Sequence, residues 1–495
     1  MEPVVEVFAW YLRAKKKVRG TSVYEGEAMR RKLLFLLPAL REARDARFRK
    51  IKYSLFPPLS LLTLAALTDE DRYEMIVRDE HVESPMVDED VDLVAMTVYA
   101  SAANRAYELA AHYRARGAKV MMGGIHPTAM PEEAALHADA VCIGPGEPVW
   151  REMLRDYERG KLRRFYRGNP VGSAARVPPI ARRDLMNPKG YLVPQTMITS
   201  RGCPHACDFC YKTRFWGKRY HECRPLADVE RELASFTGPF VFFLDDNFLA
   251  NRRQAREIFA ILRGTGIVWQ AGASLDVIGT PGYLDEAYAA GCRSLFVGLE
   301  SLSPENMHGV NKPVNAAADY VEAIRRFHDA GIMVNGSFVL GLDQDGPDVF
   351  RRTLDFAVKN QVETATFHTL TPFPGTRTFE VMRDSGRLID HNWDNYDTCH
   401  AVFQPKRMTP RQLEEGYHRL YRDFYRYGAI WRRSAGLPST LKRLCYNVGW
   451  KKLDPLWTVV LHLRLLPLAR PVLDHILRRS TSKTPLVDTL PETHR

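Results

Sequence analysis

The sequence predicts an α/β protein built from two consecutive strand–helix series. The first reads as a doubly wound parallel sheet, the second as a partial (β/α)6 barrel, and a helical extension follows. Three observations predict this. Short, nearly continuous apolar runs alternate with helical stretches from residue 31 to 158, as buried parallel strands do. A proline- and arginine-bearing segment, 159–190, interrupts the pattern. Six further strand-like runs follow, each ending in a polar or glycine-bearing loop, and in barrels chemistry gathers at those C-terminal strand ends.

In chain order, residues 1–30 are a lead-in with the basic run Lys15-Lys16-Lys17. Strands are expected at 33–37, 74–77, 93–96, 119–122 and 140–143, with helices at 59–67 and 104–116. This alternation makes 31–158 a doubly wound sheet. The segment 159–190, with Pro170, Pro178, Pro179 and Pro188, is a linker. A second series begins near Thr196, and its later strands are expected at 240–244, 268–271, 294–297, 333–339 and 365–367. It forms the barrel over 191–400, and 401–495 is a basic, mainly helical module.

At 495 residues the chain holds two to three domains with full cores. It is 45% hydrophobic and 26% charged, as soluble globular proteins are. Eight cysteines do not make a disulfide framework. Cys142, Cys223, Cys292, Cys399 and Cys445 stand singly and read as buried apolar side chains. The first residues carry early acids and no basic run before an apolar one, so no signal peptide is expected. No apolar stretch approaches the ~18 residues of a membrane span. The net charge of +11 is local: residues 401–495 hold 18 Lys and Arg against 7 Asp and Glu, and the rest is neutral. A basic tail can dock on an anionic surface.

The first barrel strand runs into Ser200-Arg201-Gly202-Cys203-Pro204-His205-Ala206-Cys207-Asp208-Phe209-Cys210-Tyr211, a Cys-x3-Cys-x2-Cys triple. Three thiolates on one short loop can hold a [4Fe-4S] cluster with one iron left open to a small molecule. Zinc is the competing reading. It needs a fourth ligand, for which His205, His221 and Cys223 are near in sequence.

Flanked by a buried strand and a Gly-Cys-Pro turn, the triple resembles the signature of radical S-adenosylmethionine (radical SAM) enzymes. The resemblance implies that Cys203, Cys207 and Cys210 hold the cluster, and that the open iron binds and cleaves S-adenosylmethionine to a 5′-deoxyadenosyl radical. It also implies a set of S-adenosylmethionine contacts. Phe209 lies in the cysteine loop, and Asp245 and Asp246, after the second strand, face the methionine amino group. Those two carboxylates read equally well as a helix N-cap before 252–262. Ser274, beside Asp276, follows the third strand, and Glu300 follows the fourth and accepts the ribose hydroxyls. Val339 borders the adenine. Thr371-Pro372-Phe373-Pro374-Gly375-Thr376 makes a stiff loop beside substrate.

The first half carries Pro57-Pro58-Leu59, Asp79-Glu80-His81, Gly123-Gly124-Ile125-His126-Pro127 and Gly144-Pro145-Gly146-Glu147-Pro148. Together these resemble the cobalamin-binding domain that precedes the barrel in one class of radical SAM enzymes. The implied cobalamin contacts are Thr97, Ser101, Gly123, Gly124, His126, Gly144, Gly146 and Glu147. The Asp-x-His-x-x-Gly motif that supplies a cobalt ligand in other cobalamin domains is absent, so no histidine on cobalt is expected. Residues 393–425 resemble a C-terminal module of hopanoid-methylating and related members.

The resemblance implies a cobalamin-dependent radical SAM methyltransferase acting on an unactivated carbon, with a [4Fe-4S] cluster, S-adenosylmethionine and cobalamin as cofactors. The alternative is a cyclase or carbon–carbon bond-forming enzyme with the same cofactors. A tRNA methylthiotransferase would need further cluster cysteines in residues 1–150, where only Cys142 stands. A non-enzymatic zinc or nucleic-acid module leaves both α/β series unexplained. The expected partners are a small-molecule substrate, of which a lipid or isoprenoid is one candidate, and an electron donor of the flavodoxin or ferredoxin type. No nucleic acid is expected. The expected location is the cytoplasm, with the apolar and basic stretch 456–479 as a candidate contact to the inner membrane face.

Overall fold

The computed structural model describes residues 30–44, 55–83, 89–169, 179–218, 220–316, 318–435 and 440–452. Residues 1–29 of the lead-in, Cys445's side chain, Pro170, Pro178 and the stretch 456–479 lie outside the described residues.

The first sheet contains β1 (Arg31–Leu37), β2 (Tyr73–Asp79), β3 (Leu93–Thr97), β4 (Lys119–Gly123), β5 (Ala140–Ile143) and β6 (Phe165–Arg167). Its order is β2-β1-β3-β4-β5-β6, and every neighbouring pair is parallel. Leu33, Leu34, Phe35 and Leu36 of β1 are buried, with the run packed on both faces, which is why it is apolar without alternation. The strand order reverses between β1 and β3. In open α/β sheets that switch point, at the carboxyl ends of the strands, is where ligands bind. The strand β6 falls inside the expected linker and extends the sheet by one strand beyond the expected boundary.

The second sheet contains β7 (Thr196–Met197), β10 (Phe240–Phe243), β11 (Val268–Ala273), β12 (Cys292–Glu300), β13 (Met333–Leu340) and β14 (Thr364–Thr369), all parallel and in chain order. Between β7 and β10 the chain makes an antiparallel pair, β8 (Ser200–Gly202) with β9 (His221–Cys223), and the cysteine loop lies between these two strands. Gly202 begins that loop at φ +79°, and a Cβ there would sit 2.1 Å from the Tyr220 carbonyl oxygen. Only glycine fits.

The barrel is open, and β14 is an edge strand. An edge strand presents unpaired backbone groups that a fold must cover. The helix Pro410–Phe424 does so. The Tyr421 hydroxyl accepts from the Phe367 N–H at 3.2 Å, and the Tyr425 hydroxyl bridges the N–H (3.2 Å) and carbonyl (2.9 Å) of Ala365. The helices Tyr427–Ser434 and Thr440–Lys452 continue beneath it. There Arg433, fully buried, donates to the Glu363 carbonyl at 3.1 Å and to Asn447 Oδ1 at 2.9 Å. The Glu363 side chain, 1% exposed, pairs with Arg443 and accepts from the Val334 N–H at 2.9 Å, with His328 Nε2 at 3.2 Å.

This buried network makes the Thr440–Lys452 helix part of the barrel. Arg443→Ala should cost about 3–5 kcal/mol, since it leaves a buried carboxylate without its cation. A chain ended after Ser434 should fare no better, while one ended after Lys452 should keep the wild-type denaturation midpoint. Chemical denaturation of the three chains checks this.

Candidate active site

The cysteine loop is fixed by carboxylates at the end of β10. Asp245 is buried and accepts from the Thr199 N–H (3.0 Å), Thr199 hydroxyl (2.8 Å), Ser200 N–H (2.5 Å) and Ser200 hydroxyl (2.6 Å). Burial alone pushes its carboxyl up, and these donors oppose the shift. With its oxygens so engaged, Asp245 does not line the cavity. Its expected contact with S-adenosylmethionine is therefore corrected: it staples β10 to the β7–β8 junction. Nor does it cap the 252–262 helix, where Asn251 accepts from the Gln254 N–H.

Asp246 does line the cavity, and it closes the base of the loop. Its Oδ1 meets Lys212 Nζ at 2.6 Å and its Oδ2 accepts from the Gly202 N–H at 3.1 Å. Burial works against the Lys212 cation, but Asp246, with Tyr211 and Cys210, raises its pKa.

Cys203, Cys207, Cys210, Phe209, Ser274 and Glu300 line the same cavity. Burial pushes the thiols up, Cys207 to about 12, while Lys312 pulls Cys207 and Lys212 pulls Cys203 and Cys210 partly back. Ser274 accepts from Asn247 Nδ2 at 2.8 Å and meets Asp276. Burial raises the Asp276 carboxyl, yet bonds from His205 and Ser274 take it down to about 2. The register of β12 slips between Gly298 and Glu300, and Glu300 takes φ +62°. A bulge of this kind re-aims a side chain, and here Glu300 is turned toward Lys312 Nζ, 2.6 Å away. Val339 is packed in the barrel core and is not among the residues around this cavity.

A second cleft lies at the carboxyl edge of the first sheet. Thr97, Gly123, Gly124, Gly144, Gly146 and Glu147 all line it. The apolar wall comes from Leu59, Leu61, Leu64, Trp150 and Cys142, and the barrel adds Ile198, Arg201, Phe215 and Trp216. Two expected residues are elsewhere. His126 is buried with Nε2 2.9 Å from the Tyr107 hydroxyl and its ring edge-on to Trp393 at 5.0 Å. Ser101 lines a separate cavity with Leu40, Asp394 and His400. Neither touches the cleft, and no histidine lies among its described lining residues. Asp79, Glu80 and His81 are likewise taken up: Asp79 accepts from Tyr191 at 3.0 Å and meets His81 Nδ1 at 2.7 Å, and Glu80 pairs with Arg105 at 2.7 Å.

Lys212, Lys312, Asn247, Arg201 and Trp216 were not singled out from the sequence. Asn247 alone carried a signal, its place beside the paired aspartates. The others reach the site through folding.

The residues fit the implied cofactors. Three sulfurs around one ion would lie about 3.8 Å apart in a tetrahedral zinc site. The Sγ atoms of Cys203, Cys207 and Cys210 are not gathered within 4.8 Å of one another, and no described histidine, cysteine or carboxylate joins them in such a group. Cys223 accepts from Asn251 Nδ2 at 3.3 Å instead. The wider spread suits a multinuclear cluster. Asn247, 2% exposed, leaves its Oδ1 without a partner, an acceptor suited to an ammonium donor of a bound ligand. Alanine at Cys203, Cys207 or Cys210 should each abolish the iron content of anaerobically reconstituted protein, while alanine at half-exposed Cys223 or buried Cys292 should leave iron unchanged, with a packing cost of roughly 1–2 kcal/mol at Cys292. Iron analysis with circular dichroism reads both.

Residues 197–357 match the family model of the radical SAM superfamily, and residues 52–154 match that of the B12 binding domain. The chain is 32% identical over 391 residues to bacteriochlorophyllide d C-12(1)-methyltransferase of Chlorobaculum tepidum, covering 77% of this chain and 85% of that protein. It is 27% identical over 411 residues to bacteriochlorophyllide d C-8(2)-methyltransferase of the same organism, covering 80% and 91%. Its fold is similar to that of the cobalamin-dependent S-adenosylmethionine radical enzyme OxsB with aqua-cobalamin bound, with a TM-score of 0.59 at 14% identity, over 92% of this chain and 83% of that one. With the cysteine loop at the mouth of the barrel and the glycine-lined cleft beside it, the chain belongs to the cobalamin-dependent radical SAM methyltransferases, enzymes whose cofactors are a [4Fe-4S] cluster, S-adenosylmethionine and cobalamin.

Proposed function

We propose that this enzyme methylates a carbon at the periphery of a chlorin-type tetrapyrrole. The observation that carries the reading is the 32% identity to a bacteriochlorophyllide d methyltransferase across most of both chains. The site supports it. Tyr99, on the loop after β3, is 47% exposed. Tyr211 lies within its electrostatic reach and meets Phe373 edge-on at 6.1 Å. Aromatic side chains of this kind offer the faces and edges against which a flat conjugated ligand packs.

When bound, the cluster with S-adenosylmethionine supplies hydrogen-atom abstraction, and cobalamin supplies a transferable methyl group. The chain's own residues position these. Cys203, Cys207 and Cys210 would hold the cluster. Asp246, Asn247, Ser274, Glu300 and Phe209 would surround S-adenosylmethionine. Thr97, Gly123, Gly124, Gly144, Gly146 and Glu147 would hold the corrin. Holding reactants in fixed alignment is the main contribution a protein makes to such chemistry. The cluster needs an external one-electron donor, for which a flavodoxin or ferredoxin is the fitting class.

Anaerobic incubation with bacteriochlorophyllide d, a reductant and S-adenosylmethionine should give a product heavier by one methylene, with the label of methyl-labelled S-adenosylmethionine in it. Turnover of S-adenosylmethionine without a mass gain on any tetrapyrrole would redirect the reading to another substrate class.

The reading includes peripheral attachment to a membrane through the basic module 401–495, with the apolar and basic stretch 456–479 as the candidate contact. No helix among the described residues is long and apolar enough to cross a membrane, and the chain's whole charge excess lies in 401–495. Each Lys or Arg near an anionic surface contributes about 1 kcal/mol. The full chain should sediment with anionic vesicles at low salt and release at high salt, and a chain ended after Lys452, which loses the apolar stretch 456–479, should sediment less. Equal behaviour of the two chains would assign the tail another role.

A further inference from the structure

Arg201 lies two residues before Cys203 in β8, yet its side chain leaves the barrel and lines the cleft at the edge of the first sheet. It is 9% exposed. Its Nη2 donates to Glu147 Oε1 at 2.5 Å, and its guanidinium carbon lies 5.1 Å from the centroid of the Trp216 ring. Its Nε–H is buried and has no acceptor.

A buried N–H without a partner costs a large part of its hydration, and such groups are rare in folded proteins. Here the group stands in the wall of a cleft built for a ligand. Glu147 already balances the guanidinium charge, so the missing partner need not be an anion. A neutral carbonyl suffices. The rim of a corrin ring carries amide side chains whose carbonyl oxygens are such acceptors.

We propose that Arg201 is a cobalamin-binding residue that donates through Nε to an amide carbonyl on the corrin rim, with Glu147 and Trp216 holding the guanidinium for it. The proposal rests on the cleft being the cobalamin site. Under it, a barrel residue completes the site of the first sheet, and the cofactor is held across the joint. Arg201 enters the cysteine loop and Trp216 ends the helix that follows it, so the same contact braces both sides of that loop.

Titration of the full chain with hydroxocobalamin, followed by absorbance, tests this. Arg201→Met removes the donor. Arg201→Lys keeps a cation for Glu147 but not the Nε–H. The pair Arg201→Met with Glu147→Gln removes both charges, so no carboxylate is left buried alone. All three should bind about tenfold more weakly or worse, the size expected of one hydrogen bond from a charged donor. Glu147→Gln alone, which keeps an acceptor for Nη2 but loosens the hold on the guanidinium, should fall between wild type and the three Arg201 variants. Circular dichroism confirms that each variant is folded. Wild-type affinity in the lysine variant or the double variant would overturn the proposal, because Arg201 would then serve only to neutralise Glu147. Cobinamide, which lacks the nucleotide tail, should show the same ratios. A loss seen with cobalamin alone would move the contact off the ring and overturn the assignment. Wild-type protein that bound no cobalamin would overturn the cleft reading itself.

Discussion

The bonds that the Asp245 carboxylate accepts from Thr199 and Ser200 fix the place where the two halves of this protein meet. Strand β7 is only two residues long, too short to set the direction of the chain after it. Asp245 supplies the direction by capturing consecutive N–H and hydroxyl groups as the chain leaves β7. The chain then turns into β8, where Arg201 points one way, to the first sheet, and the cysteine loop opens the other way, to the barrel cavity. A carboxylate this buried is tolerated only because each charged lone pair has a donor. Loss of one donor would therefore be felt at both cofactor sites.

A second constraint is the open edge of the barrel. Six strands do not close a parallel barrel of the (β/α)8 kind, so β14 ends the sheet with its backbone exposed unless something covers it. Tyr421 and Tyr425, one helical turn apart, meet backbone groups of residues two apart on β14. The helix rise of about 6 Å over four residues roughly matches the strand rise over two. Below them, Arg433 and Glu363 make the cover permanent. The C-terminal module is thus required by the sheet topology, whatever its tail contacts.

The strands were legible because parallel strands buried on both faces read as apolar runs, and ten of the expected runs appear where the sequence put them. The strand β6 was hidden in a segment of prolines and arginines, being three residues long with only Tyr166 buried. The cysteine loop and the glycine-bearing loops were legible because their chemistry is local. Asp245 and Asp246 were not separable, since adjacent carboxylates look alike until their donors are known. His126 was misplaced for a similar reason: Trp393, which covers it, lies far away in sequence. Lys212 and Lys312 gave no sign, because an exposed and a site-facing lysine are the same letter.

Those lysines explain the electrostatics of the cavity. Lys212 pairs with Asp246 and Lys312 with Glu300, and Asp276 is flanked by His205 at 3.7 Å and Arg252 at 3.6 Å. The protein charges around the cysteines therefore largely cancel. Unpaired charge in a buried cavity is costly, and an uncompensated cation or anion here would bias what enters. A [4Fe-4S] cluster in its 2+ state on three thiolates is a monoanion, and S-adenosylmethionine is a monocation. A cavity whose own charges are paired leaves those two as each other's counter-ions. With Cys203, Cys207 and Cys210 holding the cluster, the largest remaining attraction would lie between it and S-adenosylmethionine, and the wall groups would need only to orient the bound cofactor.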